Sequence, residues 1–284
     1  AHMSNTDAPT KTISDFEAKL SEADKSVAAF ERDDRSLFAI ARAFLRNNPT
    51  TIPTLVLIIS IIVFGPIAPR FLGPGALSTV LQQVTVTGLV AVAQTLIILT
   101  AGIDLSVGAI LVVVSLVMGN MAVNMGVPWP IAIAVGIAVG GVMGWLNGVL
   151  VAIVKLPPFI VTLGTLSIFS ALKLWYSHSE SIRNVDIEAK APELLWFGES
   201  FRVWGAKLTY GSLSLVVVAA IVWYILNRTA WGRHVHAIGD DPDAARLSGI
   251  RTNLTLISLY TFAGLICGFA ASVAIGRVGS VSPI

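Results

Sequence analysis

The chain has 284 residues, of which 55% are hydrophobic and only 13% charged, with a mean hydropathy of +0.78. An ordinary soluble domain carries about 25% charged residues, so these figures exclude a soluble globular protein and require a polytopic membrane one. The net charge of +2 gathers on no folded domain, which gives no argument for nucleic acid, and the single cysteine, Cys267, cannot form an internal disulfide.

Ala1-His2-Met3 reads as a tag remnant, and residues 1–12 are expected to be that remnant followed by a polar, disordered tail. Residues 13–50 are expected to form cytoplasmic or interfacial amphipathic helices. Ser14-Asp15-Phe16-Glu17 fits the capping-box pattern, and Ile13, Phe16, Leu20, Ala23, Val27 and Phe30 follow in steps of three and four. A second stripe, Leu37, Ile40, Ala41, Phe44 and Leu45, has Arg35, Arg42 and Arg46 on its other side, as a helix lying on anionic head groups would. Both stripes equally fit solvated helices docked to the rest of the protein.

Residues 51–284 read as an all-α transmembrane domain of about seven spans. The first begins near Ile52 or Pro53 and ends near Pro69-Arg70. The others are Leu77–Ala101, Leu105–Val123, Ile131–Val154, Phe159–Tyr176, a shorter Leu213–Leu226, and Leu254–Ile275. Gly136, Gly140 and Gly144 recur every four residues, a spacing that gives a smooth face for close helix approach. Trp129, Trp175, Trp223 and Trp231 fall near span ends, as interfacial anchors do.

The run Gly88–Gly119 would far exceed one bilayer thickness, about 20 residues of helix, without its interruption at Ala101-Gly102-Ile103-Asp104-Leu105-Ser106-Val107-Gly108. Gly102 and Gly108 let the backbone bend, and the Asp104 carboxylate can accept from free N–H groups near Ser106 and Val107. Two readings stand. One is a capped turn between spans; the other is a broken helix lining a solute path, since non-helical backbone at membrane depth survives only where protein or water surrounds it. Taken alone, the residues favour the capped turn, because a lone aspartate beside a turn can sit at the interface.

Lys and Arg distribution sets the topology. The N-terminal region carries Lys11, Lys19, Lys25, Arg32, Arg35, Arg42 and Arg46, and 227–253 carries Arg228, Arg233, Arg246 and Arg251. Both are therefore expected in the cytoplasm, with 177–210 outside. Within 227–253, Asp241 to Gly249 spells a short helix: Asp241 as N-cap, Pro242 in the first turn, Asp243 and Arg246 at ends that suit their charges, and Gly249 as a left-handed stop. A helix of two turns is not stable alone, so it needs a partner surface, either its own membrane domain or another subunit. His234 and His236 lack a third ligand nearby and predict no metal site. No Gly-x-x-x-x-Gly-Lys-Ser/Thr loop occurs, and no nucleophile or paired-carboxylate constellation; no cofactor and no catalysis are expected of this chain.

Three runs in order, AGIDLSVGAI, KLPPFIVTLGT and WGRHVHAIGDDPDAARLSGI, resemble the permease subunits of ATP-binding-cassette sugar importers of the ribose/xylose/fructose branch. TISDFEAKL and LNRTAWGRH are most similar to the fructose permeases of rhizobial-type bacteria. The resemblance implies a multi-pass inner-membrane subunit that passes a monosaccharide inward by alternating access. Its implied partners are a separate ATPase, a periplasmic sugar-binding protein, a second permease copy and membrane lipid. Asp243-Ala244-Ala245 and Gly249 match the family's ATPase-docking loop, with Asp in place of the usual Glu, so Asp240, Asp241, Pro242, Asp243, Ala244, Ala245, Arg246 and Gly249 are the expected coupling residues. Members of the family continue beyond the Ser282-Pro283 stretch to about ten spans, which implies a C-terminally truncated member.

A sugar needs hydrogen-bonding groups and aromatic faces rather than fixed charge. The substrate-path candidates are Gln82, Gln83, Gln94, Asp104, Ser106, Asn147, Phe159, Thr162 and Thr165, with Thr85, Thr87 and Ser167 as further intramembrane polar groups. Each is also a candidate for a plain interhelical hydrogen bond, and Phe159 for plain core. The alternative function is an ion-coupled secondary sugar transporter acting alone, for which only Asp104 and Lys173 approach qualifying as intramembrane ionisable groups.

Overall fold

A computed structural model of the chain describes residues 44–46, 48, 50–68, 73–203 and 206–283. The amphipathic stripes predicted up to residue 43, the Pro69-Arg70 span end and Trp204 lie outside the described residues. The chain forms two units, Ala1–Leu72 and Gly73–Ile284.

In the first unit, α1 spans Thr51–Ile67 and buries none of its residues within the unit. Its few hydroxyls turn back onto the helix, Thr54 onto the Thr50 carbonyl and Ser60 onto that of Val56, both at 2.8 Å. A helix apolar on every side belongs in lipid or in a protein interior. At 17 residues it is about 25 Å long, short of the ~30 Å hydrocarbon core.

Among its described residues the second unit holds six helices that are long and apolar enough to cross a membrane. The first four are α2 (Pro74–Ile98), α3 (Val107–Gly119, continued by a π-helical turn, Asn120–Asn124), α4 (Trp129–Ala152) and α5 (Pro158–Ser177). After α6 (Asn184–Lys190), a 3-10 turn (Pro192–Gly198) and the antiparallel pair β1 (Ser200–Val203) and β2 (Ala206–Thr209) comes α7 (Tyr210–Arg228). The unit ends with α8 (Ala230–Asp240), α9 (Pro242–Leu247) and α10 (Thr252–Val278). Against seven predicted spans, the described residues hold these six, of which α7 and α10 are the last two, and the shorter α1. The architecture is all-α apart from the β1–β2 hairpin in the segment predicted only as polar.

The central element is α10, which packs along α4 and also against α2 and α3. Its contact with α4 is a glycine seam. A Cβ on Gly144 would fall on the Tyr260 carbonyl oxygen, one on Gly140 would lie 2.6 Å from the Gly264 carbonyl oxygen, and one on Gly268 would lie 2.8 Å from the Ile137 Cα. The repeat at 140 and 144 thus serves α10, whereas Gly136 faces the Met118 side chain of α3. Bilayers supply little hydrophobic force between helices, so close backbone packing of this kind must hold the pair.

Local chemistry sets several boundaries. Thr209 and Ser212 form a reciprocal capping box that starts α7 at Tyr210, three residues before the predicted Leu213. Pro158 opens α5 directly after Lys155 takes a left-handed turn, φ 60°. Helix α2 ends in a Schellman arrangement: Gly102 N–H donates to the Ile97 carbonyl and Ala101 N–H to that of Ile98. The left-handed residue there is Ala101, φ 56°, not a glycine. Gly102 is needed for space instead, since a Cβ would lie 3.0 Å from Ile97 Cγ2 and 3.1 Å from the Tyr260 hydroxyl. Trp129, Trp175 and Trp223 are exposed, but Trp231 turns inward: its Nε1 donates to Ser258 Oγ at 2.8 Å and its ring stands edge-on to Phe262.

Candidate functional site

The segment after α7 folds into two helices rather than a loop with one. Thr229 caps α8 by accepting from the Gly232 N–H at 3.2 Å, and Gly232, Val235 and Ile238 face inward at steps of three. The far end of α8 rests on the end of α2, because a Cβ on Gly239 would fall on the Leu99 carbonyl oxygen. Asp241 then caps α9, its Oδ1 accepting from the N–H groups of Asp243 at 2.9 Å and Ala244 at 3.0 Å. Gly249 takes the left-handed conformation, φ 85°, that stops it. Asp240, Asp241, Pro242, Asp243, Ala244, Arg246 and Gly249 are all exposed, and Ala245 alone is buried. Leu247 is 90% exposed at the tip. The result is a short knob seated through one methyl group.

The interruption between α2 and α3 is neither a simple hairpin turn nor an open path. The two helices touch little and both pack on α10. Residues 102–106 are non-helical and lie among four helices. Asp104 Oδ1 accepts from the Ser106 N–H at 2.7 Å and its hydroxyl at 2.6 Å, and Asn147 Nδ2 of α4 donates to Ser106 Oγ at 2.8 Å. The Gln94 amide of α2, oriented to satisfy both groups, bridges the Asp104 backbone N–H and carbonyl at 3.2 Å each. Thr162 Oγ1 of α5 donates to the Ile103 carbonyl at 3.1 Å. Asp104 is 5% exposed, and Ser106, Asn147 and Thr162 are fully buried. Asn147 lies five residues inside the end of α4, about 7 Å along the helix. The cluster therefore satisfies non-helical backbone among these helices, as a non-aqueous setting demands.

Tyr260 of α10 completes this cluster and was absent from the sequence-derived candidates. It is 1% exposed, its hydroxyl borders Gly102, and that hydroxyl and Asn147 Oδ1 are buried without a hydrogen-bond partner among the described residues. No local pattern marks it, because its neighbours come from elements far away in the chain. Asp104→Ala is expected to lower stability by about 1–3 kcal/mol, because the Ser106 N–H is left buried and unpaired. Asp104→Asn keeps an acceptor oxygen and should cost less. Thermal unfolding of the purified variants in detergent checks this, and an unchanged midpoint for Asp104→Ala would remove the structural role.

The remaining candidates do not join this group. Gln82 is half-buried beside a cavity of about 480 Å³ that Ser78, Arg202 and Lys207 also line. Gln83 is exposed, and its carbonyl accepts from Arg277 at 3.5 Å. Thr165 is buried and bonded back within α5, to the Thr162 carbonyl at 3.3 Å. Phe159 is 49% exposed at the start of α5, so it is not core.

The model of the family described as branched-chain amino acid transport system / permease component matches residues 76–284. The chain is 46% identical to the fructose import permease protein FrcC of Rhizobium meliloti over 99% of its own length and 78% of that protein's. It is 35% identical to the ribose import permease protein RbsC of Bacillus subtilis, over 81% of this chain and 70% of that one. To the D-allose transport system permease protein AlsC of Escherichia coli it is 31% identical, over 81% and 68%. No solved structure matches the chain. With six apolar helices built around a glycine seam and a match over most of its length, the chain belongs to this family of transport-system permease components.

Proposed function

We propose that this chain is the membrane-spanning permease subunit of an ATP-binding-cassette importer that carries a monosaccharide inward across the inner membrane. The sugar class comes from the relatives, whose names specify fructose, ribose and allose. The observation that carries the mechanism is the α8–α9 knob. Its α9 is capped at Asp241, stopped at Gly249 and exposed on every residue but Ala245, and the sequence carries no nucleotide-binding loop. An ATPase docked there is the source of force. The path of that force is physical: α9 joins α8, α8 presses Gly239 on Leu99 at the end of α2, and Trp231 holds α8 to Ser258 of α10. Five residues beyond Leu99 the chain enters the Asp104 cluster, which ties α2, α4 and α5 together. Movement of the knob is thus delivered to several helices at once, as alternating access between two packed arrangements requires.

In this reading the N-terminus and α8–α9 face the cytoplasm, residues 177–210 face outward, and two copies assemble with one sugar-binding protein outside. Gln82, beside an open cavity, has access to solute, whereas Asp104, Ser106, Asn147 and Thr162 act through the backbone they hold. The test is reconstitution in liposomes with the ATPase and the binding protein. Uptake of labelled D-fructose, D-ribose or D-allose should require ATP and all three components. Uptake by the permease alone under an ion gradient would overturn the reading in favour of a secondary transporter.

A further inference from the structure

Resting on the sugar-import reading, we propose that the cavity formed by the π-helical turn after α3 and the end of α5 is an extracytoplasmic monosaccharide-binding pocket organised by Asn120, Asn124 and Tyr176. It occupies the end of the bundle opposite the knob: α9 borders the C-terminal end of α4, whereas this cavity lies at the C-terminal ends of α3 and α5. Its volume is about 340 Å³, at the small end of the ~300–1,000 Å³ typical of small-molecule sites.

Its apolar lining is made by Leu116, Val123 and Ile182. Beside it runs a directed hydrogen-bond chain: Asn124 Nδ2 donates to Asn120 Oδ1 at 2.8 Å, and Asn120 Nδ2 donates to the Tyr176 hydroxyl at 3.0 Å. Because the Tyr176 oxygen accepts, its proton is left to donate into the cavity, and the Asn124 carbonyl oxygen stands at the other end as an acceptor. Glu180 and Asp186 on the rim supply further acceptors for hydroxyl groups. Among the described residues no lysine or arginine lines the cavity, and beside His178 stand two carboxylates, Glu180 and Asp186, which oppose a phosphate or an amino-acid carboxylate. No group of three or more metal-binding side chains is present among the described residues either. Donors and acceptors beside apolar side chains, without a lysine or arginine, match a neutral polyhydroxyl ligand.

The backbone is shaped for this pocket. Asn120–Asn124 forms a π-helical turn, a distortion frequent at functional sites. His178 and Ser179 take left-handed conformations, φ 50° and 62°, and the loop is pinned by paired backbone bonds between Ile182 and Val281 at 2.9 and 3.0 Å.

Cysteine protection in right-side-out spheroplasts tests the proposal. Ser177→Cys and Ser181→Cys each place a thiol on the pocket, and native Cys267 is fully buried and silent to a membrane-impermeant maleimide. D-fructose, D-ribose or D-allose should slow labelling at one or both positions by about tenfold at ten times the half-protecting concentration, as mass action gives, with no effect of L-leucine. Adding Asn120→Leu or Tyr176→Phe should abolish that protection. Failure of the reagent to reach either thiol, protection by none of the sugars, or equal protection by L-leucine would overturn the pocket. ATP-dependent uptake in the reconstituted liposomes separates this from the sugar-import reading: uptake without protection sinks the pocket alone, and absent uptake sinks the import reading.

Discussion

Ala245→Glu is expected to lower ATP-driven sugar uptake at least about tenfold, because each 1.4 kcal/mol cuts the ratio of seated to displaced α9 about tenfold and a buried unpaired carboxylate costs several times that. Ala245 is the one buried residue of α9, with its carbonyl accepting from the Ile250 N–H at 3.1 Å. A six-residue helix has no stability of its own, so its position depends on that seat. A glutamate there either strands a charge without water or pushes α9 outward, and the first alternative costs more than the second. The six spans lie elsewhere, so the variant should still reach the membrane and unfold at an unchanged temperature. Leu247→Ser is the companion. At 90% exposure it makes almost no contact within the chain, so its loss should leave the isolated protein unaltered and weaken only co-purification with the ATPase. Uptake by Ala245→Glu equal to that of the unsubstituted protein would remove α9 from the coupling path.

The knob and the Asp104 cluster differ in how much of each was legible in the sequence, and the reason is the range of the interactions involved. The ends of α9 follow from contacts two and three residues apart, Asp241 to Asp243 and Ala244, together with a glycine where only a left-handed residue serves. Such signals survive in a single chain read by eye. The Asp104–Ser106 contact is equally local, and it was foreseen. Its continuation to Asn147 spans 41 residues, and Thr162 reaches Ile103 across 59. No spacing rule covers such distances, so these residues appeared only as separate polar groups, and Tyr260 did not appear at all.

Helix α8 was missed for a different reason. Arg233, His234 and His236 make its stretch read as hydrophilic, although Gly232, Val235 and Ile238 carry a three-residue period behind a threonine cap. The period was present and short, and exposed charges masked it. Trp231 shows the converse error. An aromatic ring near a span end reads as a lipid anchor, yet Ser258 offers it a partner inside the protein. Proximity to an interface does not decide which way a side chain turns; the nearest hydrogen-bond acceptor does.

The largest effect on stability is expected at Gly144. Gly144→Ala adds one methyl group where the Tyr260 carbonyl oxygen already stands, with the Gly264 Cα 3.1 Å away. Both obstacles are backbone, so no rotamer relieves the clash and α4 must move off α10. That pair is the central contact of the second unit, and the cost should be at least about 2–3 kcal/mol, the upper range for overpacking a well-filled interior. Gly164→Ala is the control, since a Cβ there meets nothing within 4 Å and alanine favours a helix by up to about 1 kcal/mol over glycine. The two substitutions are chemically identical and both lie within predicted spans, so composition and propensity give them the same sign. Only the seam separates them. Unfolding midpoints in detergent should fall for Gly144→Ala and hold or rise for Gly164→Ala; equal midpoints would mean that α4 and α10 do not meet through their glycines.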